Sequence, residues 1–239
     1  MRTQVWFGGT ELTQGYVVSS LRRPLLPRDV DTLDVPGMDG VRLAGASLAD
    51  YEVGMTLTAT GKDAGERFAA LRALAAALNK AEAAPLRIST DGDLYYMAVP
   101  SSSPNVARFV NAESAEVAFR VLDPAMYGLD QTATVAGGGS VTIDVGGTFP
   151  TLPVVDVAGA TDGSGGYWRL QLEDGTYMQA SAPSAIDLRF DSRTRTLWAG
   201  TTVQAMTPLA DWLVLEPGEH TITMTGTGTA TVRWTERWV

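Results

Sequence analysis

The chain has 239 residues, 45% of them hydrophobic and 19% charged, which is enough apolar material for one large or two ordinary cores. It contains no cysteine and one histidine, excluding disulfides, thiolate nucleophiles, cysteine metal sites and any histidine-based metal cluster. A formal net charge of -9, with the arginines scattered instead of gathered in a stripe, argues against a grip on nucleic acid.

No run approaches the ~18 uninterrupted apolar residues of a membrane span, and the opening residues lack the apolar core of a signal peptide. The expectation is a soluble protein made in the cytoplasm. Val5 to Phe7, Gly8-Gly9 and Leu12 read as a strand and tight turn, followed by a strand from Tyr16 to Ser20. Two prolines within Arg22-Arg23-Pro24-Leu25-Leu26-Pro27-Arg28 keep that segment out of a central strand, so it reads as an arm or long loop. Its Leu25-Leu26 pair, flanked by Arg22, Arg23 and Arg28, suits either a neighbouring subunit or a fold back onto its own core. Val30 to Val35 is a strand ending at the Pro36-Gly37-Met38-Asp39-Gly40 turn, and Val53, Met55, Leu57 and Ala59 alternate along a further strand.

Asp63 to Lys80 is the one stretch with a helical period. Phe68, Leu71, Ala75 and Leu78, widened by Leu74, predict a buried stripe, with Asp63 as N-cap, Glu66 three residues on, and Pro85 beyond the end. Ala69, Ala70, Ala73, Ala76 and Ala77 are placed on the opposite face, where alanine either reflects helix propensity alone or lets another subunit approach closely. After the helix, Leu86 to Ile88 and Leu94 to Val99 form a hairpin about Asp91-Gly92. Ser101 to Pro104 is a loop, and Val106 to Val110 and Val117 to Leu122 are strands, the latter placing Val117, Phe119 and Val121 on one face.

Asp123-Pro124 ends this run, and the texture then changes to short strands punctuated by glycine turns, the pattern of a sandwich. Between Asp123 and Gly139 the glycines and Pro124 offer little to pack, so the chain is expected to divide there. Turns are expected at Asp162-Gly163, Asp174-Gly175, Asp191 to Thr194 and Pro217-Gly218. The last strand sets Val232, Trp234 and Trp238 against Thr231, Arg233, Thr235 and Arg237.

Enzyme readings fail on inventory. His220, required by a Ser-His-Asp triad, sits just after a Pro-Gly turn as an ordinary hairpin residue. Asp187 and Asp191 could pair on a strand face, but Asp191 opens a turn that its side chain would cap. The glycine runs Gly137 to Gly139 and Gly163 to Gly166 precede strands, not helix N-termini, and so do not cradle phosphate. No catalytic, metal or cofactor residues are assigned. Tyr167, Arg169 and Gln171 share the outward face of a strand whose Trp168, Leu170 and Leu172 point inward; the three form either a saccharide platform or an ordinary solvated face. Trp198 alternates away from Leu197 and stays ambiguous.

The succession of motifs resembles the distal tail (Dit-like) protein family of long, non-contractile siphovirus-type phage tails. In the N-terminal half the resemblance rests on Val35 to Gly40, the helix from Arg67 to Leu78, Asp93 to Val99 and Val117 to Pro124. In the C-terminal half it rests on Gly147 to Val154, Phe190 to Leu197 and Trp212 to Gly218. The resemblance implies a mainly β chain: residues 1–128 form an N-terminal, ring-forming β-rich domain with one α-helix, and residues 129–239 a galectin-like β-sandwich. It further implies a structural, non-enzymatic hub in the virion, at the distal end of the tail, made in the host cytoplasm. Its partners would be its own copies in a ring, usually a hexamer, the tail tube protein, a tail-tip hub or tail-associated lysin-like protein, and receptor-binding proteins. DNA would pass through the lumen without specific binding. The resemblance also implies an extended belt segment in the N-terminal domain. As subunit contacts the reading selects Arg22, Arg23, Leu25, Leu26 and Arg28 of the arm and Ala69, Ala73 and Ala76 of the helix. The alternative function is a carbohydrate-binding sandwich acting in host-surface recognition.

Overall fold

The structure is a computed structural model that describes residues 2–25, 27–101, 105–108, 113–163 and 165–239. Leu26, the Ser102 to Pro104 part of the expected loop, and Phe109-Val110 of the expected strand lie outside the described residues. Within them the fold is mainly β, with one α-helix. The chain forms two compact units, Met1–Tyr127 with Val239, and Gly128–Trp238.

In the first unit the strands are β1 (Val5–Phe7), β2 (Thr10–Glu11), β3 (Tyr16–Arg22), β4 (Arg28–Asp34), β5 (Val41–Leu48) and β6 (Tyr51–Ala59). Helix α1 (Ala64–Leu78) follows, then β7 (Ala84–Ile88), β8 (Tyr95–Pro100), β9 (Asn105–Arg108) and β10 (Glu113–Val121). β2, β1, β7, β8, β10, β6 and β3 are hydrogen-bonded in that order, and β9 pairs with β10 beyond β8. Gly8 and Gly9 both take positive φ in the β1–β2 turn, a conformation that costs glycine little.

Alternation places Val53, Met55 and Leu57 of β6 beside Val117, Phe119 and Val121 of β10 on one buried face, with Phe7 and Phe119 rings 4.9 Å apart. The helix contributes Leu74, Ala77 and Leu78 to this core, with Ala70 packed against it. Asp63 caps it by accepting from Glu66 N at 2.8 Å, while Glu66 reaches back to Lys62 N, one residue before the cap.

The face the helix buries differs from the stripe its sequence suggests. Phe68 is 51% exposed and Ala75 is exposed, whereas Ala70 and Ala77 turn toward the sheet. The reason is rotation: Ala70, Leu74, Ala77 and Leu78 follow a spacing of four, three and one, and two small residues let the helix lie close to the strands.

The second unit contains β11 (Met126–Ala136), which begins in the first, then β12 (Ser140–Val145), β13 (Val154–Thr161), β14 (Trp168–Leu172) and β15 (Tyr177–Ala180). It continues with β16 (Ile186–Asp191), β17 (Thr196–Ala199), β18 (Thr202–Gln204), β19 (Gly218–Thr225) and β20 (Thr227–Trp238). One sheet runs β18-β17-β16-β13-β20-β11 and the other β12-β19-β14-β15. Their inner faces share one apolar cluster, and Trp168 of the smaller sheet stacks on Phe190 of the larger at 5.5 Å. Between Asp123 and Gly139, where the chain is expected to divide, β11 runs from Met126 to Ala136, with Val135 buried. The Gly137 to Gly139 turn comes only after it.

Candidate assembly surface

Sequence reading places an arm at Arg22 to Arg28. Arg22 ends β3 and Arg28 begins β4, so the free connector is shorter than the segment, and it launches a hairpin. β4 and β5 pair with each other from Arg28↔Leu48 to Asp34↔Val41, and among the described residues with no other strand. β5 is absent from the sequence reading because Val41-Arg42-Leu43-Ala44-Gly45-Ala46 contains two small residues and a glycine that weaken a strand signal. The Asp-Gly turn at Asp39-Gly40, with a strand already read before it, is the signal that could have revealed it.

Within the hairpin, register and alternation put Val30, Val41 and Leu43 on one face and Leu33 on the other. They are exposed by 56%, 58%, 68% and 57% respectively, and Leu25 at the root by 92%. A two-stranded hairpin is marginal in water on its own, and apolar side chains on both faces give it surfaces to insert against.

The root is fixed by a polar latch. Arg23 Nη1 donates to Asp91 Oδ2 at 2.6 Å and to Tyr96 Oη at 2.7 Å, and Tyr96 Oη donates to Asp91 Oδ2 at 3.1 Å. The Asp91 side chain is only 5% exposed. Burial, reinforced by the Asp91 charge, pushes the Tyr96 hydroxyl up to about 12, so it stays protonated and keeps donating. The hydrogen bond to Asp91 likewise raises Arg23. Beside the latch, Pro24, Leu25, Leu48, Tyr51 and Met126 line a cleft of about 280 Å³. A larger open cleft of about 780 Å³ borders β3, the end strand of its sheet, between Arg22, Met55 and Glu116.

Ala69, Ala73 and Ala76 are all exposed on α1, beside Phe68 and Arg72, whose guanidinium lies 5.7 Å from the Phe68 ring. The structure thus places the alanines at the surface in one group and Arg22, Arg23, Leu25 and Arg28 at the hairpin root in another.

In the second unit Tyr167, Arg169 and Gln171 are half-buried. Arg169 is clamped: its guanidinium stands 4.6 Å from the Tyr167 ring and 4.1 Å from the Tyr177 ring, and Nε donates to Gln179 Oε1 at 2.8 Å. Tyr177 and Gln179 are not among the residues the sequence singled out; register, with Gln171 opposite Tyr177 and Arg169 opposite Gln179, brings them in. Asp191 Oδ1 accepts from Arg193 N and Thr194 N, capping its turn, and Asp187 Oδ1 accepts from Gly159 N. His220 stands at the start of β19, Nδ1 2.8 Å from Glu173 Oε1 and Nε2 2.7 Å from Glu216 O. Among the described residues no three His, Asp or Glu side chains converge to hold a metal ion, and no helix is long and apolar enough to cross a membrane.

A phage tail protein RIFT-related domain model matches residues 11–121, and a siphovirus-type tail component C-terminal domain model matches residues 146–238. Both halves are therefore domains of phage tail components. No curated protein matches the sequence. Among solved structures, SPP1 Dit, described as a paradigm of the hub adsorption apparatus in phages infecting Gram-positive hosts, aligns over 100% of both chains with a TM-score of 0.80 and 18% identity. A chain of the phage P2 baseplate in its activated conformation with calcium aligns over 99% of this chain and 98% of its own, at TM-score 0.52 and 12% identity. The strontium form of that baseplate gives 0.52 and 10%, over 98% and 97%. With the two domain models laid end to end in order, the chain belongs to the siphovirus-type distal tail (Dit-like) protein family.

Proposed function

We propose that this protein is the structural hub at the distal end of a phage tail, closing through its N-terminal unit into a ring, a hexamer by analogy with the family. The ring joins the tail tube to tail-tip and adsorption proteins. The observation that carries this reading is the β4–β5 hairpin, which exposes Val30, Leu33, Val41 and Leu43 and is paired with no other strand among the described residues. Burying such side chains stabilises by roughly 1.5 to 3 kcal/mol each, so the hairpin gains most of its stability by lying on a neighbour. A head-to-tail contact of this kind closes when its rotation divides the circle. The exposed alanines of α1 and the edge of β3 that is unpaired among the described residues are further surfaces for the same contact. The C-terminal sandwich, whose residues are not needed for that contact, serves to dock adsorption proteins. The acidic balance suits a lumen that DNA traverses without sticking. Virions assembled in the host cytoplasm and labelled with antibody against this chain should show label at the tail end distal to the head; label on the head or along the whole tube would contradict the reading.

A further inference from the structure

The outward face of the larger sheet in the second unit carries a row of side chains that neither the ring contact nor the sandwich core uses. Register sets Val203, Trp198, Arg189, Asp156 and Thr231 directly opposite one another on five successive strands, β18, β17, β16, β13 and β20. Directly opposed residues share a face, and Trp198, half-buried, lies outside the inner apolar cluster that holds its neighbour Leu197. Asp156 is shared: its Oδ1 accepts from Arg189 Nη1 at 3.3 Å and its Oδ2 from Arg233 Nη2. Two depressions of about 320 and 310 Å³ adjoin the row, both lined in part by Arg189.

Cross-strand ion pairs on a solvated face are common and contribute little to stability. Three features go further here. One carboxylate orients two guanidiniums, whose planar donor sets are thereby fixed before any ligand arrives. The depressions contain carboxylates, Asp130 and Asp191 in one and Asp156 and Asp187 in the other, in near balance with Arg189, Arg193 and Arg233. An aromatic ring stands in line with them at a strand spacing of roughly 4.8 Å. Donors and acceptors interleaved so that neither sign dominates suit a ligand whose groups both donate and accept. An anion would meet the aspartates, a cation the arginines, and an apolar peptide both.

We infer that this face binds a neutral oligosaccharide, with Trp198 stacking on the apolar face of one sugar ring and the Arg189–Asp156–Arg233 triad hydrogen-bonding the hydroxyls of the next. The row from Trp198 to Thr231 crosses three strand intervals, roughly 14 Å, enough for two to three rings. This site is distinct from Tyr167, Arg169 and Gln171, which belong to the other sheet and whose arginine is already sandwiched between tyrosines. The inference does not depend on ring closure.

The test is titration of the full-length protein, by calorimetry and by heteronuclear NMR, with neutral di- and trisaccharides of galactose, glucose and N-acetylglucosamine, and with an oligogalacturonide as the acidic control. Saturable binding of at least one neutral sugar is expected, moving the Trp198 indole N–H resonance of the unaltered protein. Trp198→Ala and Arg233→Gln should each weaken that binding at least tenfold, and Tyr167→Ala should leave it unchanged. Absence of saturable binding across the neutral panel, binding of the acidic control alone, or loss on Tyr167→Ala with Trp198 unmoved would each overturn the inference. The NMR readout on the unaltered chain decides the matter even where a variant fails to fold.

Discussion

His220 shows how one side chain ties pH to stability. Both ring nitrogens face acceptors, the Glu173 carboxylate and the Glu216 carbonyl, so the doubly protonated ring satisfies both and a neutral ring satisfies one. Burial pushes the imidazole pKa down, but the hydrogen bonds to Glu216 and Glu173, with the Glu173 and Asp174 charges, outweigh it and raise the value. Glu173 moves the other way, lowered by a backbone hydrogen bond and by its bond to His220. A raised histidine contributes stability fully present below its unfolded pKa of about 6.5, and lost as pH rises through the folded value. The Glu173 contribution is present above its unfolded value and lost as pH falls. The His220→Gln variant should therefore melt lower than the parent at pH 5.5, with the gap closing by pH 9. A gap that stays constant across that range would contradict this account of the site.

At the same scale, Leu74 and Phe68 separate what the helix buries from what its sequence suggests. Leu74 is 3% exposed and Phe68 51%. Leu74→Ala should cost about 2 to 5 kcal/mol in urea denaturation of the unassembled chain, whereas Phe68→Ala should stay within about 0.5 kcal/mol. Equal costs would mean that Phe68, not Leu74, faces the sheet. The periodicity of apolar residues located the helix and its cap, because Asp63 and Glu66 act locally. It could not fix the rotation, because that depends on which small residues let the strands approach, a tertiary property that Ala70 and Ala77 share with the exposed Ala69 and Ala76.

Among elements, strands with one buried face were legible, since Val53, Met55 and Leu57 or Val117, Phe119 and Val121 alternate as the pleat requires. β5 was not, because no core imposes alternation on it: Val41 and Leu43 are followed by small residues, and among the described residues its one partner is β4. Pro24 and Pro27 fall in the connector between β3 and β4, but what holds that connector was not legible, because the latch joins Arg23 to Asp91 and Tyr96 across 68 and 73 residues of sequence. The same holds for the Arg189–Asp156–Arg233 row, which exists only once three strands are in register. Since the latch sets the hairpin root, Arg23→Ala should leave the core of the first unit intact by near-ultraviolet circular dichroism. It should, however, speed proteolysis between Pro24 and Leu48, checked by mass spectrometry of the first fragments. Unchanged cleavage there would show that the latch does not hold the root.

For the whole molecule, each unit has its own apolar cluster, one built on Phe7, Leu57 and Phe119, the other on Trp168, Phe190 and Leu213. A chain of residues 128–239 should accordingly unfold in one cooperative transition by itself; a non-cooperative melt would mean that its core needs the other half. The central claim, that the N-terminal unit closes rings through its hairpin, is tested most directly by particle mass. Light scattering on the full chain, alone and with the tail tube protein, would be set against the Val41→Asp/Leu43→Asp variant, whose changes touch exposed positions and spare the core. The parent should reach the mass of a closed ring, a hexamer on the family analogy, under at least one of these conditions, while the variant remains monomeric. A parent that stays monomeric under both conditions would contradict ring formation, and a variant that forms the same ring would contradict the role given to the hairpin.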